Sequence, residues 1–181
     1  MINISLGKLN RKIYARNCEI KQITNKEAKP FNEANHLQGH RNAQVTYGLF
    51  YKSELVQLMS FSKTKWNRNL KGDNDWEIIR GCPGSNNIVI GGVSKLFTHF
   101  IREYDPDSVF SYCDFNKFDG NGYEAIGMKF IGYTGPNKML LLRDGRVVNR
   151  NPSRYKELKE LTLANIWGAG SKKYLWEKNN G

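Results

Sequence analysis

The sequence predicts an α/β (α+β) domain: a mixed sheet with one βαβ crossover and flanking helices. Three observations predict it. Trp76-Glu77-Ile78-Ile79-Arg80 and Ser108-Val109-Phe110-Ser111-Tyr112-Cys113 are short apolar runs that suit buried strands. Between them, Val93, Leu96, Phe97, Phe100 and Ile101 recur at i, i+3, i+4, i+7 and i+8, the single apolar face of a helix. Finally, Val45–Tyr51 and Leu55–Ser62 flank the short polar turn Lys52-Ser53-Glu54, the pattern of a β-hairpin.

Composition sets the frame. A chain of 181 residues, 39% hydrophobic and 12% aromatic, has enough apolar surface for a real core and fits one folded domain. No apolar run approaches the ~18 residues a membrane span needs, and the first residues lack a signal-peptide pattern. Cys18, Cys82 and Cys113 are an odd, widely spaced set without Cys-x-x-Cys. That implies reduced thiols in a cytoplasmic setting and argues against a zinc knuckle. The net charge is +11, distributed as +5 over residues 1–60, zero over 61–120 and +6 over 121–181. Basic flanks around a neutral centre fit a polyanionic partner, most simply nucleic acid; lysine-rich solubility is the plainer alternative.

The chain divides into a basic arm (1–16), a domain (17–143) and a basic C-terminal extension (144–181). Asn17–Ile23 alternates as a strand. Thr24 with Glu27 forms a capping box for a helix running to about Leu37, with Pro30 inside and Gly39 ending it. His36 and His40 are four apart, but no third ligand stands near, so no metal site is expected. Lys63, Lys65, Trp66, Arg68 and Lys71 form a basic loop around a tryptophan. It can track a nucleic-acid strand by charge and stacking, or be a solvated excursion.

Val89-Ile90-Gly91-Gly92-Val93-Ser94-Lys95 is the turn into the central helix. A helix N-terminus leaves N–H groups free and suits an anion; the glycines alternatively only make the turn. Five buried apolar side chains contribute roughly 1.5–3 kcal/mol each, against about 0.3–1 kcal/mol for a charge at an exposed helix end. The helix therefore exists for packing first. Asp105-Pro106 ends it. Asp114, at the end of the strand that follows, lies where open α/β sheets place ligands. Gly120-Asn121-Gly122 opens a short helix with Tyr123, and Gly127 closes it. Lys129–Tyr133 and Met139–Leu142 are strands, and Asp144-Gly145 is a tight turn. Arg146, Arg150, Arg154, Lys156 and Lys159 precede Leu158, Leu161, Leu163 and Ile166, which reads as a basic helix packed back by Trp167, Tyr174 and Trp176.

Two segments carry a resemblance, over residues 17–143, to the GNAT acyltransferase superfamily. Ile90–Phe97 resembles its pyrophosphate loop and following helix, and Tyr123–Lys129 its tyrosine-x-x-x-glycine segment. The resemblance implies a mostly antiparallel central sheet and an acyl-CoA, such as acetyl-CoA, with its phosphates on Gly91, Gly92, Ser94 and Lys95. It implies Tyr123 as general acid and Glu77 as base, with Asp114 a second base candidate. A narrower resemblance is carried by His36–Gly39, Tyr47–Tyr51, Val89–Gly92 and Ser111–Asp114. These look like a phage domain found behind the nuclease module of homing endonucleases, here without that module, and akin to Mom-type DNA-modification proteins. The implied function is a phage or mobile-element GNAT-like protein acting at nucleic acid, with Lys63, Lys65, Trp66, Arg68, Arg146, Arg150 and Arg154 as contacts. Its setting would be the host cytoplasm. The alternatives are a non-catalytic DNA-binding module, or an inhibitor of a host defence protein. A nuclease would need an ordered Asp…Glu-x-Lys triad, which the sequence lacks.

Overall fold

The computed structural model describes residues 11–63, 74–114, 118–149, 158 and 160–178. These fall into two compact units, one within Met1–Ser111, Asn121–Lys129 and Leu175–Gly181, the other within Tyr112–Gly120 and Phe130–Tyr174. The elements in chain order are β1 (Arg11–Tyr14), a 3-10 turn (Ala15–Asn17), β2 (Glu19–Gln22), α1 (Asn25–Asn35), β3 (Val45–Tyr51), β4 (Glu54–Lys63), β5 (Asp75–Pro83) and β6 (Asn87–Ile90). Then come α2 (Gly92–Tyr104), β7 (Ser108–Asp114), α3 (Asn121–Glu124), β8 (Lys129–Tyr133), β9 (Lys138–Leu142), β10 (Val147–Asn149), β11 (Thr162–Trp167) and β12 (Ser171–Glu177). The main sheet has seven strands in the order β2-β3-β4-β5-β7-β12-β8. Pairs β2–β3, β3–β4 and β4–β5 are antiparallel, and β5–β7 is parallel. The predicted mixed sheet and βαβ unit are therefore present.

In the first unit, the hairpin closes through Lys52 and Ser53, both left-handed at φ 48° and 66°. Two such residues match the twist of the flanking strands. On its strands Tyr47, Leu49 and Phe61 are buried on one face and Leu58 on the other. Thr24 and Glu27 form the expected capping box, with the Thr24 N–H donating to Glu27 Oε2 at 2.7 Å. Pro30 stays inside α1, because Ala28 and Phe31 pack on a core cluster of Ile23, Leu58, Phe50 and Leu55. The helix stops at Asn35, two residues early. His36 turns extended, and its Nδ1 accepts the Gln38 N–H at 3.1 Å.

Helix α2 is anchored by aromatic rings. Phe100 stacks on Phe61 with ring centres 3.7 Å apart and meets Trp76 edge-on at 5.1 Å. Tyr104 continues the stack on Phe100 at 5.1 Å. The Asn74 side chain donates to the carbonyls of Tyr104 and Asp105 and accepts the Trp76 indole N–H. It thereby satisfies the end of α2, where Asp105 is left-handed.

Three sequence expectations are corrected. Arg11–Tyr14, read as part of an exposed arm, is a strand paired in parallel with β6, itself unforeseen. The reason is burial: Ile13 and Ala15 are 3% and 4% exposed, and a four-residue strand has too few alternations to register by pattern. In the second unit, the described part of the tail expected to be a basic helix forms β10 and β11, which flank β9 in a three-stranded antiparallel sheet, and then β12; Arg150, Arg154, Lys156 and Lys159 lie outside the described residues. Pairing with β9 places Leu163 and Ile166 in a strand, against the helical spacing in which they stand. Trp167 is 68% exposed, so it staples nothing; Tyr174 is buried, and in the first unit Trp176 meets Phe97 edge-on at 5.9 Å.

Phe100→Ala should destabilise the protein by about 3–5 kcal/mol, read as a lower denaturant midpoint with an unchanged slope. A loss under about 1 kcal/mol would show that the stack does not hold α2.

Candidate functional site

The N-terminus of α2 is the first feature. Gly91 is the N-cap, left-handed at φ 74°, a conformation that costs other residues roughly 1–2 kcal/mol. Glycine is required there by this angle and not by crowding, since a Cβ would have its nearest neighbour, the Ala15 Cβ, at 3.9 Å. The first rung of the helix is Lys95 N–H to Gly91 O at 2.9 Å. The N–H groups of Gly92, Val93 and Ser94 precede that ladder, Gly91 is exposed, and Ser94 presents an exposed hydroxyl.

Gly92 and Lys95 serve the fold in ways the sequence did not foresee. Gly92 is buried, and a Cβ on it would fall onto Gln57 Oε1. The missing side chain makes room for that amide. Gln57 is 3% exposed and its Oε1 has no hydrogen-bond partner among the described residues. It sits against the positive end of the α2 dipole, which offsets part of its desolvation. Lys95 Nζ donates to the carbonyls of Ala15 (3.0 Å) and Cys18 (2.6 Å). Long helical side chains lean toward the N-terminus, which carries this ammonium back onto the 3-10 turn. Two of its three protons are thus engaged by the backbone.

The second feature is the parting of β5 from β7. Their register runs over Asp75↔Ser108, Trp76↔Val109 and Glu77↔Phe110, fastened by Ser108 Oγ donating to buried Asp75 at 2.5 Å. β5 then continues to Pro83. Glu77 stands at the last pair. A bulge follows at once: Phe61 pairs with Ile78 and Ser60 with Arg80, so Ile79 is the extra residue. The bulge explains why Ile78 and Ile79 are both buried, and it returns Arg80 to the face of Glu77.

That face is half-buried and charged. Arg41, on the loop after α1, reaches Glu77 with Nη1 to Oε1 at 3.8 Å. Arg80 Nε donates to Gly39 O at 2.9 Å and Nη1 to Ile79 O at 2.7 Å. Burial holds the Glu77 carboxyl above its ordinary range, against the opposing pull of Arg41 and Arg80. The His36 imidazole is pushed down to about 4, by burial first and then by Arg80. The family resemblance singled out Glu77; the sequence reading set His36 aside as a metal ligand and assigned Arg41 no role. Only the bulge and the α1 loop bring these residues together.

Tyr123 lies in α3, half-buried; its carbonyl accepts the N–H groups of Ile126 and Met128. It shares the first unit with Glu77 and the α2 N-terminus. Asp114 belongs to the second unit, where its carbonyl accepts the Phe118 N–H. Lys63 Nζ lies over the Trp76 ring at 5.8 Å, and Arg146 is closed onto Asp144 through Nε at 2.7 Å and Nη2 at 2.6 Å. Lys65, Trp66, Arg68, Lys71, Arg150 and Arg154 lie outside the described residues. Among the described residues no group of His, Cys, Asp and Glu could hold a metal, and no helix is long and apolar enough to cross a membrane. The three cysteines are buried, Cys82 with its thiol pushed up to about 12 by burial, which disfavours a nucleophilic thiolate. A hollow of about 480 Å³ is lined by Gln22, Thr24, Asn25 and Gln44.

A sheet whose two parallel central strands part beside a carboxylate, with a glycine-led helix crossing between them, has the fold of the GNAT N-acetyltransferases. Solved structures bear this out. The Escherichia coli ribosomal-protein-S18-alanine N-acetyltransferase superposes with a TM-score of 0.57 at 9% identity, covering 91% of this chain and 98% of that one. A Bacillus subtilis acetyltransferase in complex with CoA gives 0.57 at 13% identity, over 89% and 99%. Arabidopsis thaliana Naa50 with a CoA-containing bisubstrate analogue gives 0.58 at 13% identity, over 90% and 99%. No protein-family model matches the sequence, and no curated protein matches it. The likeness is therefore one of fold.

Two pH effects follow. A carboxyl whose folded pKa is raised contributes stability below its ordinary pKa and loses it as pH rises. Glu77→Gln should therefore melt higher than the parent at pH 7, with the gap closing below about pH 4.5; a lower melting point at pH 7 would contradict the buried-carboxylate account. A depressed histidine works the other way, giving stability above about 6.5 that is lost as pH falls through about 4. His36→Gln should remove part of the acid sensitivity over that window, seen by following the melting temperature against pH.

Proposed function

We propose that the chain is an acyl-CoA-dependent N-acyltransferase. The observation that carries this reading is the exposed N-terminus of α2, led by left-handed Gly91 and set in a GNAT fold. The residues fit the cofactor. The N–H groups of Gly92, Val93 and Ser94 and the Ser94 hydroxyl would hold its phosphates. When bound, the thioester would supply an activated acyl group. Lys95 is assigned to the 3-10 turn instead, because its ammonium already serves two carbonyls.

Glu77 is the base in this scheme. Its raised affinity for a proton, from burial, moves it toward operating pH, where a base is most effective. It takes the proton that the attacking amine must lose. Tyr123 donates its phenolic proton to the departing thiolate, a role that rests on the Tyr123–Lys129 segment. Asp114 is the alternative base, at the end of β7.

Ser94→Glu gives a test with opposed signs. A carboxylate at an exposed position in the first turn favours the helix while occupying the place of a phosphate. Calorimetric titration with acetyl-CoA should show micromolar affinity for the parent and at least about tenfold weaker binding for the variant, at an equal or higher melting temperature. No binding by the parent at millimolar acetyl-CoA would overturn the reading.

Action at nucleic acid is a finer proposal, supported by the net charge of +11. DNA affinity should then fall steeply with salt through counterion release. A flat salt response would remove it.

A further inference from the structure

The face that carries Glu77 holds more positive charge than Glu77 neutralises. Arg80 reaches that face through the bulge at Ile79 and is pinned there by the carbonyls of Gly39 and Ile79. Arg41 stands beside Glu77 at 3.8 Å, with its side chain 58% exposed against 19% for Glu77. Two guanidinium groups thus share one carboxylate. The neighbouring groups do not restore balance. His36 uses Nδ1 to accept the Gln38 N–H, as a neutral imidazole does. Among the described carboxylates Glu77 is the one that acts on Arg80; Glu33, which lies over Gly39, is turned to the His40 N–H at 3.3 Å. Burial, then the like charge of Arg41, pulls the Arg80 pKa down, so the two cations compete where they stand.

A partly desolvated cation without a full counter-charge is unfavourable unless an anion completes it, and guanidinium groups pair with carboxylate or phosphate by charge-assisted hydrogen bonds. We infer that Arg41 and Arg80 form an anion subsite beside Glu77, and that the acceptor carries a carboxylate or phosphate close to its amine. The second half rests on the acyltransferase reading; the subsite itself does not. The arrangement suits transfer to an amine in two ways. Fixed positive charge beside an ammonium favours its neutral, nucleophilic form. An acceptor anion that engages Arg41 also draws it off Glu77, leaving that carboxylate free to take a proton.

The test uses the full chain labelled with nitrogen-15. Glutarate and, separately, inorganic phosphate are titrated while the Nε–Hε resonances of Arg80 and Arg41 are followed. Arg41→Gln, on an exposed loop, is titrated alongside; its amide spectrum reports folding. Saturable shifts at millimolar probe, weakened at least about tenfold in the variant, are expected. The probe with the stronger response identifies the anion as carboxylate or phosphate. Absence of a saturable shift with both probes, or equal affinity in Arg41→Gln, would overturn the subsite. Acetyl-CoA titration with and without saturating glutarate separates the two readings. Competition would assign the guanidinium groups to cofactor phosphate and overturn the inference. Glutarate binding in a protein that ignores acetyl-CoA would uphold the anion subsite, while removing the transferase reading and the acceptor drawn from it.

Discussion

The seating of Phe100 between Phe61 and Trp76 is the constraint on which the first unit depends. It joins the middle of α2 to β4 and β5 at once, with rings 3.7 Å and 5.1 Å from its own. Buried aromatic pairs of this kind add about 0.5–1.5 kcal/mol beyond the area they bury. With the helix axis fixed there and its C-terminus held by Asn74, its N-terminus has one place to be. The exposed Gly91 is thus positioned by packing more than two turns away, and the placement of the α2 N-terminus is a consequence of the core.

Much of this was legible in the sequence. The 3.6-residue spacing from Val93 to Ile101 gave α2, the alternation on either side of Lys52-Ser53 gave the hairpin, and Thr24 with Glu27 gave the start of α1. Each is a local signal within about a dozen residues. β1 and β6 were not legible, because four-residue strands have no period to read and their partner lies more than seventy residues away. The tail was misread because a local spacing does not show which ladder a segment will join. Leu163 and Ile166, at helical spacing with Leu158, lie in a strand because β9 offers a ladder.

The site was legible in part, and the illegible part is instructive. Gly91 was singled out by its place before the helix, and Glu77 only through the family resemblance. The use of Lys95 could not be read, since its partners are carbonyls of residues 15 and 18. Arg80 would point away from Glu77 in a regular strand, three positions apart. A bulge, which leaves no mark in composition, reverses that. At Glu77 the burial that raises its proton affinity works against the stability of the fold at neutral pH.

The Gln57 amide beneath Gly92 binds the histories of two positions together. Because a methyl group at 92 would land on Gln57 Oε1 and within 2.9 Å of Val89 Cγ1, a side chain enters there only if the buried Gln57 amide is turned out of its place or position 57 has shortened. Shortening position 57 first opens a void beside the helix start; enlarging position 92 first forces a clash. Either order passes through a disfavoured intermediate, so the pair is epistatic. A relative with alanine at the second glycine should carry a smaller residue in the middle of β4.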